Sequence, residues 1–151
     1  MPKVFTSKSQ KIGELGEEIA CKYLISKGFR VLERNYTKKW GEIDIIAERD
    51  RKIYFIEVKA VSCVTLPEVS QSDNTSPRAS GRHSPTLGEG RSLFRPEENM
   101  HPMKVRKFLR TIQTYLIQRK IEGEWQADLY CVYIQLESRK ARVTKIENII
   151  G

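Results

Sequence analysis

The chain has 151 residues, 39% of them hydrophobic, and a formal net charge of +8. That length suits one domain built on a single core, and no apolar run approaches the ~18 residues that a membrane span needs. The positive balance points to a polyanionic partner rather than an acidic or membrane-inserted role.

The opening Met1-Pro2-Lys3-Val4-Phe5-Thr6-Ser7-Lys8 lacks the apolar stretch of a signal peptide. From about Ser9 to Lys27 the apolar positions Ile12, Leu15, Ile19, Ala20, Tyr23 and Leu24 recur at helical spacing, and Gly28 is a natural stop. Phe29 to Asn35 reads as a strand, followed by a basic turn through Lys38-Lys39-Trp40-Gly41. Glu42 to Glu48 and Lys52 to Val61 read as two further strands, rich in Ile, Val, Tyr and Phe and joined by the polar turn Arg49-Asp50-Arg51.

Composition then changes. Ser62 to Asn99 is rich in Ser, Pro and Gly, shows neither helical nor strand period, and is expected to be a long mobile loop within the domain spanning 1–151. A second helix is expected over Pro102 to Ile121, with Pro102 suited to the first turn. Val105, Phe108, Leu109, Ile112, Tyr115 and Leu116 form its apolar stripe; Lys104, Arg106, Lys107, Arg110, Arg119 and Lys120 lie opposite. Ala127 to Leu136 and Ala141 to Ile146 complete the strands. The order α-β-β-β-(loop)-α-β-β predicts an α/β fold, a mixed sheet with a helix on each face. Cys21, Cys63 and Cys131 are odd in number and scattered, which argues against a disulfide framework and a zinc site and points to a reducing, cytoplasmic setting. Two of the three sit in apolar patterns and read as core.

The chemistry lies in Glu42-Ile43-Asp44-Ile45-Ile46-Ala47 and Tyr54-Phe55-Ile56-Glu57-Val58-Lys59. Side chains alternate faces along a strand. Ile53 and Phe55 therefore share a face with Glu57 and Lys59, and charges appear only at the end of an otherwise apolar strand. An even-length connection pairs residues whose numbers sum to 101, which sets Ala47 against Tyr54, Ile46 against Phe55 and Asp44 against Glu57. Carboxylates opposed at ~5 Å repel unless a cation lies between them. Mg²⁺ meets that need, with one or two carboxylates, waters and a substrate phosphate as ligands. Lys59, on the same face, would then orient the attacking water or stabilise developing charge. The competing reading is a structural salt bridge between Glu57 and Lys59.

Gly13-x-x-Gly16-Glu17-x-x-Ala20, Tyr23-Leu24, Gly28-Phe29, Arg34-Asn35, Gly41-Glu42-Ile43-Asp44 and Phe55-Ile56-Glu57-Val58-Lys59 resemble the uncharacterised YraN family. That family is related by fold to Holliday junction resolvases and restriction-endonuclease-like PD-(D/E)xK nucleases. The resemblance covers residues 10–61 and resumes through the second helix to Asp128. It implies a restriction-endonuclease-like mixed sheet flanked by helices. It also implies metal ligation by Asp44, Glu57 and the Val58 carbonyl, Lys59 acting on the nucleophilic water, and Glu17 completing the catalytic acids. Val61 stands where such relatives often carry arginine, and Ile43 where resolvases carry proline.

The expected function is a Mg²⁺-dependent endonuclease, with Mn²⁺ as a substitute ion, acting on branched or single-stranded DNA in repair or recombination. A homodimer would suit a two-strand junction. The alternative is a non-catalytic nucleic-acid-binding or adaptor protein that retains the fold. Lys38, Lys39 and Trp40 in the turn, and Lys104, Lys107 and Arg110 on the second helix, are the expected phosphate and base contacts. The bland readings are a packed Trp40 and a solvated basic helix face. Asp128, at the start of an apolar strand, is expected either to pair with a basic residue or to mark the strand's wet end.

Overall fold

The computed structural model describes residues 7–66 and 102–150. In chain order the elements are α1 (Lys8–Ser26), β1 (Arg30–Lys38), β2 (Gly41–Arg49), β3 (Lys52–Ser62), α2 (Pro102–Gln118), β4 (Trp125–Gln135) and β5 (Lys140–Ile146). The five strands form one sheet in the order β1-β2-β3-β4-β5. Only β3 and β4 run parallel; the other three pairings are antiparallel. This is the mixed α/β sheet expected from the sequence.

Local chemistry sets the boundaries. Ser7 opens α1 with a capping box: its hydroxyl accepts from Gln10 N, and the Gln10 side chain accepts from Ser7 N. Gly28, at φ +87°, ends the helix in the left-handed region, where Phe29 N donates to Leu24 O. β1 continues past Asn35 to Lys38, which pairs with Gly41, so the basic turn contracts to Lys39-Trp40. Apart from its first residues, the expected Ser62–Asn99 loop lies outside the described residues, as do His83 and His101; Ser62 itself closes β3.

Each helix covers one face of the sheet. Ala20, Cys21 and Leu24 of α1 pack with Ile45, Ala47, Ile56, Tyr130 and Val132. Phe108, Ile112 and Tyr115 of α2 pack with Ile43, Ile46, Ile53, Phe55 and Ala127 on the other side. Cys21 and Cys131 are core residues; Cys63 is half-buried, and none of the three is in a disulfide.

Close approach of α1 depends on Gly16, where an added Cβ would lie 2.3 Å from the Ala60 Cβ. Gly13, one turn earlier, has open space around it. Opposite outcomes are expected from the same substitution. Gly16→Ala lifts α1 off β3 and costs ~1–3 kcal/mol, whereas Gly13→Ala stabilises by about 0.5–1 kcal/mol through helix propensity. Denaturant midpoints check both, and pairing Gly16→Ala with Ala60→Gly should recover most of the loss.

One local reversal shapes the functional end of the sheet. Arg34 and Tyr36 are two apart on β1 and should share a face, yet Arg34 bonds Glu18 of α1 while Tyr36 stacks edge-on against Tyr115 of α2. Asn35 between them has φ +53°, a left-handed conformation that asparagine tolerates. Across the ladder, Ile43 joins the α2-side core and Ile45 the α1-side core. The reversal therefore spans both strands at Asn35 and Asp44.

Asp128 departs from expectation. It is 1% exposed and, among the described residues, forms no salt bridge; it accepts from Gln126 Nε2 and from Asn148 N, pinning the C-terminal segment to β4. Neighbouring neutral donors solvate it in place of a cation.

Candidate acidic cleft at the strand fork

The β2–β3 hairpin follows the expected register, with Ala47 opposite Tyr54, Ile46 opposite Phe55 and a last pair at Ile45–Ile56. Beyond that pair β2 stays with β1, through Ile43–Tyr36 and Glu42–Thr37, while β3 continues against β4 through Glu57–Leu129 and Lys59–Cys131. The two central strands fork, and Asp44 and Glu57 stand at the opening. They are not ladder partners as expected. Instead the Asp44 carboxylate replaces a backbone acceptor, taking the Val58 N–H at 2.8 Å through Oδ2.

Four acids and two lysines meet here. Glu57 is buried, and its Oε1 receives Lys104 Nζ at 2.9 Å and Lys59 Nζ at 3.7 Å. Glu17, from the middle of α1, faces the same group, and its charge adds to that of Glu57 in disfavouring the Asp44 carboxylate. With its amide nitrogen turned inward, Asn35 donates to both Glu17 Oε2 and Glu42 Oε1 at 3.2 Å. Gly41, Glu42, Asp44, Glu57, Lys104, Lys107 and Phe108 line a cleft of about 250 Å³ over the fork. Backbone proximity builds this wall: a Cβ on Gly41 would lie 2.5 Å from Thr111 Oγ1 and 3.0 Å from Lys107 O.

The electrostatics follow from burial and like charge. Burial, then the Glu57 carboxylate, pushes Asp44 from its ordinary 3.8 up to about 8 despite the Val58 hydrogen bond. Glu17 is also raised, by burial and by Glu42, against the opposing Arg34 guanidinium. Lys59 is lowered by burial and by the neighbouring Lys104 ammonium. Burial pulls Lys104 down too, but its contacts with Lys59 and Glu57 outweigh that, and it is raised. The cleft thus holds one tightly charged ammonium and one that gives up its proton more readily.

Among the described residues no three His, Cys, Asp or Glu side chains are arranged as a ready metal-ligand group. A hard divalent ion needs fewer, since waters and phosphate fill its remaining positions. Asp44 and Glu57 supply the oxygen donors such an ion takes, and the charge strain on Asp44 is what a cation would relieve. The donor set fits Mg²⁺ or Mn²⁺.

The basic residues expected at nucleic acid divide between the turn and helix surface and the cleft. Arg110 of α2 lies over the Trp40 ring at 4.4 Å, joining the β1–β2 turn to the helix. Trp40 is therefore packed on that side, and its buried Nε1 has no hydrogen-bond partner among the described residues. Lys38 sits over the Tyr36 ring at 5.1 Å, Lys39 is exposed, and Lys107 borders the acidic cleft. Lys104, expected on this surface, points into the fork. Sequence reasoning assigned Asn35 no role; its signal was an asparagine inside a strand, a residue that favours turns and left-handed backbone.

The architecture defines an α/β protein with a five-stranded mixed sheet whose central strands part over paired carboxylates and lysines. The chain belongs to UPF0102, an uncharacterised protein family, whose pattern matches residues 16–134 and so includes Glu17, Asn35, Asp44, Glu57, Lys59 and Lys104. It is 34% identical over 137 residues to a UPF0102 protein of Campylobacter lari, covering 91% of each chain. A UPF0102 protein of Thermotoga petrophila is 36% identical over 112 residues, 74% of this chain and 77% of its own length. No helix among the described residues is long and apolar enough to cross a membrane.

Proposed function

We propose that this chain is a Mg²⁺-dependent endonuclease acting on branched or single-stranded DNA in repair or recombination. The observation that carries the reading is the fork itself, where Asp44 and Glu57 converge beside Lys59 at the floor of a cleft bordered by basic residues. Asp44, Glu57 and the Val58 carbonyl would hold the ion. When bound, Mg²⁺ or Mn²⁺ lowers the pKa of a coordinated water and offsets charge on the phosphate. The Asp44–Val58 hydrogen bond orients the first carboxylate. Lys59, beside Glu57, would orient the attacking water or donate to the phosphate oxygen on which charge develops. Glu17 adds a third carboxyl group beside Asp44 and is held there by Asn35. A homodimer would offer one fork to each strand of a junction.

Incubation with labelled duplex, flap, four-way-junction, single-stranded DNA and RNA substrates, in Mg²⁺, Mn²⁺ or EDTA, tests the proposal. Metal-dependent nicking of DNA is expected. Cleavage of RNA alone, or none of any substrate, overturns it.

A second reading, a non-catalytic nucleic-acid-binding adaptor, draws on the double ion pair at Glu57, which neutralises that carboxylate without metal. Both readings expect electrostatic binding along the Lys39–Lys107–Arg110 surface. Neutralising those three to Gln should flatten the salt dependence of DNA affinity by roughly 0.7–0.9 log units per lost phosphate contact. An unchanged slope moves the binding surface elsewhere on the molecule.

A further inference from the structure

Lys104 stands apart from the other basic residues of α2. Its neighbours on the helix, Arg106 and Lys107, are exposed. Lys104 instead turns into the fork and reaches the same oxygen, Glu57 Oε1, that Lys59 approaches more distantly. Glu57 keeps only 12% of its side chain exposed and Lys104 38%, so the carboxylate end of the contact is shielded while the ammonium end is partly open to solvent. A charge-assisted hydrogen bond of 2.9 Å in such a setting is a strong one. It comes from the first turn of a different element, and helix α2 also forms the wall of the cleft through Lys107 and Phe108.

We propose that Lys104 is a positioning residue, a built-in cation that occupies Glu57 when no divalent ion is bound and competes with that ion for the carboxylate. The inference rests on the metal-site reading above. A divalent ion brought to this carboxylate is repelled by the ammonium seated 2.9 Å from Oε1 more than by Lys59 at 3.7 Å, so metal binding works against Lys104 in that position. Metal binding is then coupled to the seating of the first turn of α2: ion on, Lys104 released; ion off, Lys104 returned. The coupling is reciprocal, so anything that draws Lys104 away, a phosphate included, tightens metal binding by the same factor.

Isothermal titration of MnCl₂ into wild type, Lys104→Gln, Lys104→Arg and Asp44→Asn tests this without cleavage. Lys104→Gln should bind Mn²⁺ about tenfold more tightly than wild type, equivalent to ~1.4 kcal/mol, while its metal-free form melts lower because Glu57 has lost its counter-ion. Lys104→Arg keeps the charge and should stay near wild type in both respects. A merely structural Lys104 would lower the melting temperature and leave Mn²⁺ affinity unchanged, and that result overturns the inference while leaving the metal site standing. Mn²⁺ binding by Lys104→Gln but not wild type supports it in its strongest form. Equal or absent binding in wild type and Asp44→Asn, with none gained in Lys104→Gln, removes the metal-site reading and this inference with it.

Discussion

Asp44→Asn, Glu57→Gln and Lys59→Ala are each expected to lower DNA cleavage by at least about 10²-fold while leaving DNA affinity within about tenfold of wild type. The separation follows from geometry. The three side chains converge at the fork floor, whereas the basic turn and the exposed part of α2 lie on the surface around it. On the proposed reading, binding energy would come from the surface, and the fork would act on the bond being broken. The expected losses differ in kind. Glu57→Gln strands Lys104 and Lys59 beside a neutral amide, so it should also lower the melting temperature. Lys59→Ala leaves Lys104 on Glu57 and should disturb folding least. Single-turnover cleavage and fluorescence-anisotropy binding on the same preparations check all three. Wild-type rates in every variant would remove the fork from the chemistry, and parallel losses of binding and cleavage would make it a binding feature.

The second large effect concerns stability. Asp44 titrates at about 8 in the folded chain against an ordinary 3.8, because burial and the Glu57 carboxylate disfavour its charge. The folded state therefore holds its proton more tightly than the unfolded state. With the folded value raised, this group's penalty is absent below pH ~4, grows as pH rises toward 8 and then levels off. At ~1.4 kcal/mol per pH unit the accumulated penalty is on the order of several kcal/mol. Asp44→Asn cannot ionise, and its amide oxygen can still accept from Val58 N. In EDTA the variant should thus melt higher than wild type at pH 8, with the difference shrinking toward zero near pH 4. Mg²⁺ should then stabilise wild type by about 1.4 kcal/mol at nine times Kd, and the variant much less. A variant less stable than wild type at pH 8 would mean that the Lys59–Lys104 pair depends on the Asp44 charge, and the fork would be a salt-bridge network.

Much of this arrangement was legible before any coordinates. The even turn at Arg49–Lys52 fixes the β2–β3 register, and the apolar runs on either side give both strands their extent. The α2 stripe led by Phe108, Ile112 and Tyr115 is the buried stripe. What escaped was non-local or conformational. A symmetric hairpin carried onward sets Asp44 against Glu57, but nothing in strand alternation foretells that Asn35 turns left-handed and stops the ladder at Ile45. Lys104 has helical neighbours that look the same in sequence; its difference arises because α2 crosses the sheet at the height of Glu57. Asp128 was misread because a lone acid in an apolar strand suggests a wet end, whereas Gln126, two residues back on the same face, was the partner in plain sight.

The parallel contact between β3 and β4 has a consequence for how the molecule assembles. α1, β1, β2 and β3 meet through short connections, so that half can gather by local encounters. The central pairing instead joins residues as distant along the chain as Ile53 and Trp125. Closing so long a loop is entropically slow compared with zipping a hairpin. α2 lies within that loop and carries Lys104, Lys107 and Phe108, so one wall of the cleft arrives only when the loop closes. The order expected on refolding from this topology is hairpin first, crossover second, cleft last. Metal affinity recovered during refolding would serve as a clock for the final step, lagging behind the strand signal of the hairpin that presents both carboxylates.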